Sequence, residues 1–342
     1  MSITVNAADA KTIMVEAMKA KLVPMMVGSP AVGKSSIVKS IAEDFNLELI
    51  DLRLSQCDPT DLLGFPHVDK EAGKATYVPM STFPIEGDVA PSGKRGWLLF
   101  LDEFNSADRA VQKAAYKLTL DRMVGEYKIH DDVAILCAGN LATDNAIVEE
   151  MSTALQSRLI HLELVVDSKQ WLDWASLNNI DHRICAYINF KPTNLYKFSA
   201  NHDNKTYASP RTWEFASRLL QNMGITHPLL LEILSGTISE GVAREFLGFI
   251  RIYENLPSIV ELIANGGDIP VPQEKSVLYA LTGSIGANAD ENTIAPLMKF
   301  INRIPIEFQV VTMRDLVRRK PELIKHIAVE DWIDKNTTEL WD

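Results

Sequence analysis

The stretch that most limits the fold is "LVPMMVGSPAVGKSSIVKSIAEDF", residues 22–45. Its first part is an apolar run that reads as a buried strand, with Pro24 near the start, where a missing N–H is tolerated. Its last part sets Ile37, Ile41 and Ala42 at helical spacing, with Phe45 one turn on. Between them lie Gly28, Ser29, Pro30, Ala31, Val32, Gly33, Lys34 and Ser35, followed by Ser36. A glycine-bracketed turn from strand to helix is the local context of a phosphate-binding loop. Glycines at 28 and 33 let successive backbone N–H groups face one anion, and the helix N-terminus adds partial positive charge. In that reading Lys34 reaches the β- and γ-phosphates and the Ser35 hydroxyl holds Mg²⁺. The rival is a plain surface loop. By composition alone the pattern arises in about one chain in a hundred of this length, taking Gly at roughly 7%.

The runs "LELIDLRL", "GWLLFLDEF", "DVAILCAGN" and "RLIHLELVV" alternate with helical patterns up to about residue 167. That is the signature of a parallel sheet with crossover helices. Beyond it the periodicity is helical. "SPRTWEFASRLLQNM" puts Trp213, Ala216, Leu219/Leu220 and Met223 on one face, and "LLLEILSG" through "VTMRDLVRRKPELIKHI" continues in helices broken by Gly, Pro and Asn. Residues 191–209 are polar and read as a long loop. A length of 342 residues exceeds the usual single domain of roughly 100–200.

Composition narrows the function classes. Hydrophobic residues make up 46% and charged residues 23%, ordinary for a folded chain with a sizeable core. A net charge of -11 argues against general attraction to nucleic acid or anionic membrane, though a local basic groove stays open. Cys57, Cys137 and Cys185 form no C-x-x-C pair and read as reduced thiols. The N-terminus lacks the apolar core of a signal peptide, and no run of about 18 apolar residues predicts a membrane span. A cytoplasmic location is the expectation. The histidines show no zinc spacing.

Four further signals carry chemistry. "WLLFLDEFN" ends a buried strand on Asp102 and Glu103, and buried carboxylates need a reason. Asp102 would hold Mg²⁺ and Glu103 would activate the attacking water. The bland alternative is a helix start, with Asn105 as its cap and Asp108 in its first turn; both can hold together. "AILCAGN" ends in Asn140, whose amide could orient a water beside the γ-phosphate. Arg158 stands at a helix-to-strand junction. In "SPRTWEF", Ser209 fits an N-cap and Pro210 the first helical position, which leaves Arg211 in a first turn whose dipole disfavours a cation unless an anion lies near. Each arginine taken alone reads as an ordinary surface ion pair.

In this order the elements resemble an AAA+ ATPase of the MoxR-like group, over about residues 20–225. "GSPAVGKS" matches the Walker A loop, "LLFLDEFN" Walker B, "AGN" sensor 1, "SR" before a strand the arginine-finger position, and "SPR" opening a helix sensor 2. "RLSQCDPTDLLGFP" and "DEFNSADRAVQKAAYKLTLDRMVGEYKI", an acid-Asn-Ala helix followed by a hairpin, are also similar to that group. The resemblance implies an α/β fold class: a P-loop NTPase αβα sandwich over 1–166 and an all-helical lid over 167–260. The helices run on past the family's usual lid, and 261–342 reads as an additional C-terminal helical region that departs from the family pattern. It implies ATP and Mg²⁺ as cofactors and a homo-oligomeric, hexameric ring with ATP between subunits. Lys34, Ser35, Asp102, Glu103, Asn140 and Arg211 would then act in their own subunit, and Arg158 in its neighbour's site. Arg122 and Arg109 are rival interface cations, because "SRL" stands where the family commonly has "DRF". The implied function is remodelling or activating a protein partner, often one with a von Willebrand factor A-like domain. Two alternatives stand: a nucleic-acid-dependent motor, disfavoured by the acidic balance, and a nucleotide-gated assembly switch. Among lesser features, Trp171 and Trp174 read as lid packing and "LVRRK", 316–320, as a solvated helix end. Residues 64–80 read as a hairpin facing a ring pore or as a plain surface excursion.

Overall fold

The computed structural model describes residues 3–71, 73–144, 148–149, 151–200, 205–253 and 255–336. Part of the predicted 191–209 loop therefore lies outside the described residues. The chain divides into two compact units, one reaching Asp167 and the other beginning at Ser168, apart from a few residues near 200 that group with the first.

The first unit is built on a six-stranded, wholly parallel sheet in the order β1-β10-β2-β9-β6-β3. These strands are β1 (Ile3–Val5), β2 (Val23–Val27), β3 (Glu48–Arg53), β6 (Trp97–Asp102), β9 (Val133–Gly139) and β10 (Leu159–Leu164). The buried run around Pro24 is a central strand. Its ladder with β9 starts only at Met25, so the proline faces an unpaired position on that side. Strand β1, which pairs with Leu162–Leu164, has no counterpart in the sequence reading. It is three residues long with one buried side chain, too short to show a period.

Alternation along the strands divides the core between two faces. Leu98, Phe100, Met26 and Leu136 pack under α1 (Ala7–Lys19) and α2 (Lys34–Asp44) with Met14, Val38 and Ile41. Leu99, Leu101, Met25 and Ile135 face the other way, toward α3 (Pro59–Leu63), α4 (Arg109–Asp121) and α5 (Thr153–Gln156), with Phe104, Leu118 and Leu155. Each such side chain contributes about 1.5–3 kcal/mol by leaving water. The result is the αβα sandwich of a P-loop NTPase.

Two antiparallel hairpins leave the sheet. Residues 64–80 form β4 (Phe65–Asp69) and β5 (Lys74–Val78); after α4 come β7 (Met123–Val124) and β8 (Tyr127–Lys128). Gly125, at φ 57°, turns the second hairpin so close to the end of α3 that a side chain there would meet the Leu63 carbonyl at 2.6 Å.

The second unit is helical: α6 (Ser168–Leu177), α7 (His182–Phe190), α8 (Pro210–Met223), α9 (Leu230–Ile238), α10 (Glu240–Tyr253), α11 (Ile259–Asn265), α12 (Lys275–Asn288), α13 (Ile294–Ile301), α14 (Ile306–Arg319) and α15 (Ile327–Lys335). An aromatic cluster of Tyr187, Trp213, Phe246 and Phe249 ties α7, α8 and α10 together. Trp171 is buried with its ring centroid 6.4 Å from that of Trp174, a packing arrangement. Among the described residues no helix is long and apolar enough to cross a membrane.

The reading of 316–320 as a solvated helix end is overturned. Arg319 and Asp315 form an ion pair at 3.0 Å with side chains only 13% exposed each. Arg318 pairs with Asp173 of α6, and Lys320 Nζ donates to the Ala289 carbonyl. Gly286 of α12 leaves the space that the Asp315 carboxylate fills. The basic run looked solvated because its acid partners lie four residues back and on another helix.

Candidate nucleotide site

The loop leaves the C-terminal end of β2 and is built from conformations few residues adopt. Ala31 and Gly33 both have positive φ, 63° and 105°. Gly28 lies so close to β10 that a Cβ there would sit 3.1 Å from the Leu164 carbonyl oxygen, and its N–H donates to the Gly139 carbonyl at 3.3 Å. Helix α2 begins at Lys34 with Gly33 as its N-cap, so no side chain caps its first turn. A helix start of this kind directs N–H groups and a positive dipole end at whatever lies in the loop. Lys34 Nζ donates to the carbonyls of Gly28 at 2.6 Å and Ser29 at 3.1 Å, and to Asn140 Oδ1 at 3.3 Å.

The neighbouring strand ends complete the cluster. Asp102 closes β6 as a half-buried carboxylate that accepts the Glu103 N–H at 2.8 Å. Burial pushes its pKa up; the Glu103 N–H and the Lys34 charge oppose this, and Asp51 and Glu103 add to the rise. Glu103 follows in the left-handed region, φ 54°, and its carboxylate accepts the Ser55 hydroxyl. Ser55 lies in the 3-10 turn Leu54–Gln56 just past β3 and carried no signal in the sequence, since a lone serine after a strand is unremarkable.

Asn105 does not cap the helix that follows Asp102 and Glu103; Asp108 occupies that position. Asn105 is instead buried, at 5% exposure. Its Nδ2 donates to the Asn140 carbonyl at 2.7 Å, and its Oδ1 accepts the Asn140 N–H at 3.0 Å. The 3-10 turn Phe104–Ser106 sets it back from the start of α4 and turns it toward β9.

The arginines separate by environment. Arg158 is exposed just past α5, with its guanidinium 5.2 Å from the Tyr116 ring centroid and bonded to the Ala154 carbonyl. Arg109 pairs with Glu149 at 3.0 Å while its side chain stays 77% exposed. Arg122 is a structural cation. It ends α4 in the left-handed region and donates to the carbonyls of His130 at 3.1 Å and Val133 at 2.7 Å. Burial pulls its pKa down. Arg211 belongs to the helical unit, exposed in the first turn of α8, where Ser209 and Thr212 form the capping box and Pro210 opens the helix.

The fold thus gathers Gly28 to Ser36, Asp102, Glu103 and Asn140 at the C-terminal edge of one parallel sheet, the edge where open α/β sheets bind ligands. Residues 24–159 match the family model of the AAA domain, dynein-related subfamily. The chain carries an AAA domain. No curated protein matches it. Among solved structures it is similar to a Thermotoga maritima RuvB mutant at 15% identity and TM-score 0.40, covering 87% of this chain and 88% of that one. It is also similar to Brucella abortus NtrX in complex with ATP, at 12% identity and TM-score 0.40, covering 100% of this chain and 70% of that one.

Proposed function

We propose that this AAA protein binds and hydrolyses Mg-ATP in a homo-oligomeric ring and uses the cycle to remodel or activate a protein partner, as its MoxR-like motif order implies. The observation that carries the reading is one edge on which the Lys34 ammonium, the Asn140 amide and the Asp102-Glu103 pair converge. The loop and the first turn of α2 would take the phosphates, with Lys34 exchanging its loop carbonyls for phosphate oxygens. The Ser35 hydroxyl and the Asp102 carboxylate are hard oxygen donors and fit Mg²⁺. A carboxylate whose burial raises its pKa is one that a cation would stabilise. When bound, the ion neutralises charge on the phosphates.

Glu103 would take the proton of the attacking water, and its bond to Ser55 holds it before the substrate is in place. Asn140 would orient that water. Arg158, exposed and held on Tyr116, would reach the γ-phosphate of the next subunit, and Arg211 would sense the nucleotide from the helical unit. The net charge of -11 favours a protein partner over nucleic acid. Titration with a fluorescent ATP analogue together with a phosphate-release assay tests the reading. Lys34→Ala should lose tight binding; Glu103→Gln should bind normally and lose about 10²–10⁴ in turnover. A Glu103→Gln protein with parental turnover would overturn the assignment.

A further inference from the structure

Asn105 lies two residues past Glu103 and is buried, yet it belongs to neither the helix that follows nor the strand before it. A carboxamide in that position needs its hydrogen bonds met, and both are met by one residue. Its Nδ2 donates to the Asn140 carbonyl at 2.7 Å and its Oδ1 accepts the Asn140 N–H at 3.0 Å. This is the two-bond pattern of a ladder neighbour, supplied by a side chain where β9 ends. The space for it exists because residue 139 is glycine. A Cβ there would overlap the Asn105 carboxamide oxygen and approach Met25 Cε to 2.7 Å. The Asn105 main chain is also engaged: its carbonyl accepts the Glu149 N–H at 2.7 Å, and Glu149 pairs with Arg109 at the start of α4.

We propose that Asn105 is a positioning residue for Asn140, its buried carboxamide gripping the Asn140 main chain on both sides so that the Asn140 amide stays at the Lys34 ammonium. The inference rests on the hydrolase reading and adds a mechanical coupling to it. The turn that carries Glu103 and the strand end that carries Asn140 move as one piece, and the loop leading toward Arg158 is anchored to the same residue. Without the grip, Asn140, just past the end of β9, keeps its side chain but not its aim.

Affinity and rate together test this. The parent, Asn105→Ala, Asn140→Ala and the double variant are each titrated with a non-hydrolysable ATP analogue and with ADP, and assayed for turnover. Asn140→Ala should lose about 10-fold or more of the preference for the triphosphate, the usual weight of a hydrogen bond to a charged group. Asn105→Ala should lose a similar factor, with KM for ATP rising in step and kcat falling. The double variant should fall no further than Asn140→Ala alone, because the first residue acts only through the second. A merely structural Asn105 would give losses that multiply, and that outcome overturns the proposal. So does an Asn105→Ala protein with parental preference and kcat. Should Asn105→Ala fail to fold, Gly139→Ala displaces the carboxamide while leaving both asparagines in place, and it should reproduce the loss; parental behaviour there also overturns the proposal. A parent that binds no nucleotide would overturn the hydrolase reading itself, whereas normal turnover without Asn105 dependence overturns this inference alone.

Discussion

Asp102 in the sheet unit and Asp181 in the helical unit are both carboxylates withdrawn from water, and their pKa values move in opposite directions. Burial raises Asp102, and the opposing Glu103 N–H and Lys34 charge do not reverse it. Burial also pushes Asp181 up, but Arg183 overturns this through hydrogen bonds and charge, Nε to Oδ1 at 2.8 Å and Nη2 to Oδ2, and the net shift is downward. Depth of burial is therefore not what separates them. Asp181 was given a cation by its own chain, two residues away, and Asp315 another in Arg319. Asp102 faces an ammonium that is bonded to its own loop. Asp181 and Asp315 are each closed off by an arginine close by in sequence; no such ion pair closes off Asp102 among the described residues.

Breaking a closed pair should have the larger effect on stability. Arg319→Met leaves the Asp315 carboxylate buried without its partner, and such losses run to about 3–5 kcal/mol. Chemical denaturation followed by tryptophan fluorescence measures it. Adding Asp315→Leu should recover most of the loss, since an apolar pair of similar volume is often as stable. A cost below about 1 kcal/mol for the single variant would show that the pair is solvated after all and would erase the contrast between the units.

A smaller effect follows from His182. Its charged form is disfavoured first by burial and further by Arg183 and Arg319, against Asp181 and Asp315, so its folded-state pKa lies below the ordinary value of about 6.5. Tyr253 packs edge-on to its ring. Below about pH 6.5 the unfolded chain binds a proton that the folded one refuses. The stability from neutral His182 is thus complete above that pH and is lost as pH falls, by at most about 1.4 kcal/mol per pH unit. Denaturation midpoints at pH 7.5 and 5.5 should differ for the parent and differ less for His182→Gln. Equal pH dependence in the two would place the titration elsewhere.

Most of the sheet unit could be read from the chain because its signals are local. A glycine loop between strand and helix, and four apolar residues ending in two acids, announce themselves within ten positions. What could not be read depends on residues brought together from afar. Ser55 meets Glu103 only because β3 and β6 are neighbours. Asn105 looked like a helix cap, since cap and clamp use the same side chain and only the 3-10 turn decides between them. Arg122 looked like an interface cation until its carbonyl partners at 130 and 133 were seen. In the helical unit the periods of α8, α10 and α12 were plain, yet the Arg318–Asp173 pair between α14 and α6 left no pattern in sequence spacing.

The central claim is that the poised edge of the sheet unit is an ATPase site completed by a second copy of the chain. It is tested most directly by mixing Arg158→Ala and Glu103→Gln proteins, each inactive alone, and measuring phosphate release. Arginine supplied from a neighbour is worth roughly 10³–10⁵ in rate in related P-loop enzymes and a general base about 10²–10⁴, so each variant alone should be near silent. The account predicts that activity returns in the mixture, because some interfaces then join an intact Glu103 to an intact Arg158. A mixture that co-assembles and stays silent would contradict it.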